Sequence, residues 1–110
     1  MTGNTSVKRV KIYLSDQFHL TEEQVDSMFP GFVTTLVTHM HNLENAVFDN
    51  NLFTLAKSAH TFKGALLNLG LEECAKVALL IEEKAKAEDE SADFHKLVDD
   101  LRVGLAPIIT

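Results

Sequence analysis

Apolar residues return every three or four positions along almost the whole chain, and that repeat admits one kind of secondary structure. Leu52, Leu55, Ala59, Phe62, Leu66 and Leu69 make the most regular run. At about 100° per residue these side chains share a narrow seam on one side of a helix from roughly Asn51 to Leu69. No segment alternates with the period of two that a half-buried strand requires.

The rest of the chain parses the same way. Val7, Val10 and Leu14 mark a short first helix. Thr21, with Gln24 three residues later, forms a capping-box pattern that opens a helical turn. Pro30 is expected to stop that turn and to begin the next helix, where proline is well tolerated. Phe32, Leu36, Met40, Leu43 and Val47 stripe that helix up to "FDNN", in which Asp49 or Asn50 is the expected cap of the following one. Gly70 closes the Asn51 to Leu69 helix, as glycine commonly does just past a helix end. Leu71, Cys74, Ala78, Ile81 and Ala85 stripe a further helix. After the polar run "KAEDESAD", Phe94, Leu97, Leu101 and Leu105 stripe the last, with Pro107 as its expected limit. Four long amphipathic helices on short turns predict an all-α, antiparallel four-helix bundle over residues 29–110. One or two short N-terminal helices within 1–28 would cap one end, all in a single domain of 1–110.

Charge and cysteine use narrow the function classes. Sixteen acidic against ten basic residues give a net charge of −6, which argues against a nucleic-acid partner. A single cysteine, Cys74, allows no internal disulfide and no thiolate cluster; on its apolar stripe it reads as a small buried hydrophobe. No apolar stretch has the length of a signal peptide or a membrane span. The expectation is a free-standing cytoplasmic domain with no membrane association. A monomer is expected, because the stripes are as wide as one bundle core requires.

One face of the Asn51 to Leu69 helix carries unusual chemistry for an acidic chain. The core seam lies on average about 120° from His60, so His60 faces water. Within about 60° of it lie Phe53, Ala56, Lys57, Lys63, Gly64 and Leu67. Lys57 and Lys63 bracket the imidazole by one turn each. Ala56 and Gly64 lower the surface beside it, and Phe53 and Leu67 add apolar side chains two turns away. Gly64 in mid-helix costs about 1 kcal/mol relative to alanine, and it points away from the seam, so core packing does not explain it. Clearance for an approaching partner does. An ordinary imidazole is substantially neutral near pH 7 and hence nucleophilic, and positive charge beside it favours an arriving anion. The pattern is that of a phosphoryl acceptor.

"AHTFKGALLNLG", Ala59 to Gly70, resembles the signature of the histidine-containing phosphotransfer (HPt) domains of two-component phosphorelays: a histidine, two residues, lysine and glycine, then a second glycine six residues on. His60, Lys63, Gly64 and Gly70 fill those positions, and the likeness extends in pattern from Phe29 to about Thr110. Leu66 and Leu67 depart from it, standing where small residues are common. The resemblance implies a bundle whose His60 takes a phosphoryl group from a receiver-domain aspartyl phosphate and passes it to another receiver aspartate. Lys63 would stabilise the phosphate charge and Gly64 would clear space for the receiver. Phe53, Ala56, Lys57 and Leu67 would contact the partner. It implies receiver domains of response regulators and a hybrid sensor histidine kinase as partners. Magnesium would be supplied by the receiver, with no cofactor or metal bound by this chain. It also implies a phosphoryl carrier without ATPase or autokinase activity of its own.

Three other readings compete. A histidine kinase dimerisation domain usually has an acidic residue directly after its histidine and a proline soon after; here Thr61 follows His60, and the next proline after it is Pro107. A bundle that binds and sequesters a receiver without being phosphorylated would use the same face, and the sequence leaves it open. A metal site at His39 and His41 is disfavoured, because two residues on a helix point about 160° apart.

Overall fold

The computed structural model describes residues 5–109; residues 1–4 and 110, which the sequence reading places at the domain ends, lie outside the described residues. Five helices follow one another: α1 (Thr5–Phe18), α2 (Glu22–Phe48), α3 (Leu52–Asn68), α4 (Glu72–Lys86) and α5 (Phe94–Ile109). Short connections reverse the chain between α2 and α5. α3 packs most extensively on α4, α2 lies against α3 and α5, and α4 against α5, which closes a four-helix bundle. α1 rests on α2 and α5.

The heptad-like stripes meet in the centre. Leu36, Met40 and Leu43 of α2, Leu55, Ala59, Phe62 and Leu66 of α3, Ala78, Ile81 and Ala85 of α4, and Leu101 and Leu105 of α5 are all buried. Val10 and Leu14 anchor α1 to this core. Each deeply buried leucine or phenylalanine contributes about 1.5–3 kcal/mol of transfer free energy, so the seam dominates the fold. Cys74 is only half-buried, beside Gly104 at the contact between α4 and α5. Burial and then the Glu73 carboxylate push its thiol pKa up.

Local signals hold at most helix ends. Thr21 and Gln24 form the reciprocal capping box, with Thr21 N donating to Gln24 Oε1 at 2.8 Å and Gln24 N donating to Thr21 Oγ1 at 3.1 Å. Gly70 ends the α3 region at φ +74°, and a Cβ there would stand 2.6 Å from the Tyr13 ring. Glycine is therefore required twice over, by backbone conformation and by the close approach of α1.

Three boundaries differ from expectation. Pro30 does not separate two helices; the capping-box turn and the next helix are one 27-residue α2 with Pro30 inside it. A single proline removes one ladder hydrogen bond, while Val25 and Phe29 before it and Phe32 and Leu36 after it all pack on one core. That shared burial carries the helix through. Among the described residues, one separate N-terminal helix, α1, therefore precedes the bundle. The α3 cap is Asn51, whose side chain accepts from Thr54 N at 3.0 Å; Asn50 instead takes the left-handed conformation that turns the chain. α5 runs through Pro107 to Ile109.

Candidate functional site

His60 projects from the middle of α3, its side chain 65% exposed, while its neighbours Ala59 and Phe62 on the seam are fully buried. The helical phase that buries the seam is thus what turns the imidazole outward. Gly64 lies one turn on, and a Cβ there would meet nothing within 4 Å. Nothing inside the fold requires glycine at that position.

The partner of His60 comes from the opposite helix. Glu82 of α4 is the single buried charged residue among the described core positions, 3% exposed. Its Oε2 lies 2.9 Å from His60 Nδ1, and its Oε1 accepts from Lys63 Nζ at 3.1 Å. Lys86, one turn further along α4, places its Nζ 2.9 Å from the same Oε2. Burial alone would raise the Glu82 pKa; hydrogen bonds from Lys86, Lys63 and His60 outweigh it and hold the carboxyl down at about 2. Glu82 is therefore ionised at neutral pH and can only accept hydrogen bonds. Its bond to His60 places the ring proton on Nδ1, and in the neutral imidazole the lone pair then sits on Nε2, on the exposed side.

The other residues of the predicted face are distributed differently from the helical-wheel picture. Lys63 is close to the imidazole but is tied to Glu82 and mostly buried, its side chain 24% exposed. Lys57 does not bracket the ring; its ammonium lies over the Phe53 ring, 5.6 Å from the centroid. The second cation beside His60 is Lys86, from α4. Phe53 and Leu67 are exposed, whereas Ala56 belongs to the core edge. A shallow groove joins Phe53, Ala56, Lys57, His60, Thr61, Glu82 and Lys86. His39 stacks on Phe62 at 5.2 Å on the α2 side, away from this groove's lining. Among the described residues, no group of three His, Cys, Asp or Glu side chains is placed to hold a metal ion.

Sequence reasoning missed Glu82 and Lys86. The available signal was phase: Glu82 directly follows Ile81 and lies one turn from Ala78 and Ala85, which puts it at the edge of the buried α4 stripe.

An exposed imidazole in mid-helix, oriented by a carboxylate from the neighbouring helix and flanked by ammonium groups, defines a helical-bundle histidine protein suited to receiving an anion. The family model described as Hpt domain matches residues 27–105, most of the chain, and the chain belongs to that family. Its function class is accordingly phosphotransfer in two-component signalling. Comparisons with curated proteins and with solved structures find no match. No described helix is long and apolar enough to cross a membrane.

Proposed function

We propose that this chain is a phosphoryl carrier that accepts phosphate on His60 Nε2 from a receiver-domain aspartyl phosphate and returns it to another receiver aspartate. The observation that supports this best is the hydrogen bond between Nδ1 and the ionised Glu82, which leaves the Nε2 lone pair facing solvent. In the forward step that lone pair attacks phosphorus, the N–P bond forms, and the P–O bond to the aspartate breaks with its electron pair leaving on the carboxylate. The Nδ1 proton stays in place. The ring becomes cationic, and the Glu82 carboxylate beside Nδ1 stabilises that charge. The reverse sequence delivers the group onward, so no base, nucleotide or autokinase activity is needed from this chain.

Lys63 supplies positive charge to the arriving phosphoryl oxygens. Gly64 keeps the helix surface low so that a receiver's active-site loops reach Nε2. Phe53 and Leu67 offer apolar contacts on either side, with Lys57 at the rim. The side chains beside His60 are two ammonium groups and a carboxylate already bound to both. That set suits an anion, and in this reading the divalent cation of the transfer comes with the receiver.

The test is transfer from a panel of receivers charged with a small phosphodonor. Acid-labile, base-stable label on the chain that disappears in His60→Gln supports the carrier. Binding to a receiver with no label from any of them would replace the carrier with a sequestering bundle.

A further inference from the structure

We propose that the groove between α1 and the first turns of α2 docks a second copy of this chain, giving a weak twofold dimer. The groove shares no residue with the one that holds His60.

Lys8, Lys11 and Ile12 form its α1 wall, and Glu22, Val25 and Asp26 its α2 wall. Lys11 already spans it, with Nζ 3.0 Å from Asp26 Oδ1 and 5.0 Å from the centroid of the Phe29 ring. Lys8 and Glu22, on opposite walls, have no ion-pair partner among the described residues. One turn from Lys8, Ile12 is 58% exposed, although Val10 and Leu14 already fix α1 to the core. The fold itself has no use for an apolar side chain there.

Charge selects the occupant. The groove carries two ammonium groups and two carboxylates and is locally neutral, in a chain of net charge −6. Two copies repel over most of their surfaces, and that repulsion is weakest at a neutral patch. A uniformly acidic partner would satisfy Lys8 but face Glu22, and a uniformly basic one would do the reverse. A twofold axis satisfies both, because Lys8 of each copy meets Glu22 of the other while the Ile12 side chains are covered together. The contact is small. α1 has 14 residues and is about 21 Å long, which puts the interface below about 1,200 Å2. The expected dissociation constant is roughly 10–100 µM. The monomer expectation rests on the stripes of the bundle core, and the outer face of α1 lies outside them.

Sedimentation velocity of the full chain over roughly 1 µM to 1 mM should show monomer giving way to dimer, less so as salt is raised. Lys8→Glu sets like charges across the axis and should weaken the dimer about tenfold or more. Adding Glu22→Lys should bring it back to within about threefold of the wild type. Ile12→Glu should weaken it about tenfold as well. All three positions are exposed, so the variants should keep the helical circular dichroism of the wild type. His60→Gln should dimerise as the wild type does, which lets the dimer and the carrier fail separately. A chain that stays monomeric throughout overturns the proposal and gives the groove to another partner. So does a dimer that Lys8→Glu and Ile12→Glu leave unchanged, since its interface would lie elsewhere.

Discussion

Replacing Glu82 with glutamine keeps the shape of the side chain and removes its charge. The amide oxygen still accepts from one donor, but the two lysines lose their counter-ion. The carboxyl sits at about 2 against an ordinary 4.5, a shift equivalent to about 3 kcal/mol at 1.36 kcal/mol per unit. Because Lys86 and His60 are largely exposed, solvent screens part of that, and about 1–2 kcal/mol is the expected loss of stability at pH 7. For a domain of this size that lowers Tm by about 5–10 °C. The pH dependence is the sharper test. A carboxyl whose pKa is depressed by folding stabilises fully above its unfolded value, and the contribution fades as pH falls from about 4.5 toward 2. Urea unfolding of the wild type and Glu82→Gln should therefore differ at pH 7 and converge toward pH 2–3. A stability gap that persists unchanged at the low end would refute the charged cluster. Transfer to His60 should slow only a few-fold in Glu82→Gln, which retains an acceptor for Nδ1–H, and about tenfold or more in Glu82→Ala, which does not.

Gly64→Ala should raise stability by about 0.5–1 kcal/mol in urea unfolding, since a Cβ there meets open space; Gly64→Leu should slow transfer from a receiver yet leave charging by phosphoramidate unaltered. Gly70→Ala should destabilise by about 2–3 kcal/mol, from its left-handed backbone and its contact with the Tyr13 ring; Tyr13→Ala should relieve part of that loss in the double variant. Burial lowers the pKa of His39, so it favours the folded state when neutral. That contribution is full above about 6.5 and is lost as pH falls toward the lowered value. Stability of His39→Leu should accordingly vary less than that of the wild type as pH falls below about 6.5.

What could be read from the sequence was local. His60, Lys63, Gly64 and Gly70 lie on one helix and its end, so spacing alone set their relative directions. Leu55, Phe62, Leu101 and Leu105 announced the core by the same logic. Glu82 is 22 residues from His60, and its contact depends on how α3 and α4 pack. Helical phase places a residue on a face but not against a particular neighbour. Lys57 shows the converse: the wheel set it beside His60, yet a long flexible side chain settled over Phe53. Pro30 was misleading because local rules treat proline as a terminus, whereas the core contacts on both sides of it hold α2 together.

The imidazole and the carboxylate that orients it ride on separate helices, and this ties chemical competence to correct assembly. A slip of one residue between α3 and α4 would swing Glu82 about 100° away from His60, even though the histidine remained just as exposed. Chains caught in a shifted packing would thus present a poorly oriented acceptor with its ring proton free to sit on either nitrogen. On the carrier proposal, phosphate would pass mainly through molecules whose helices are in register, and the contact that orients His60 would also screen out misassembled copies.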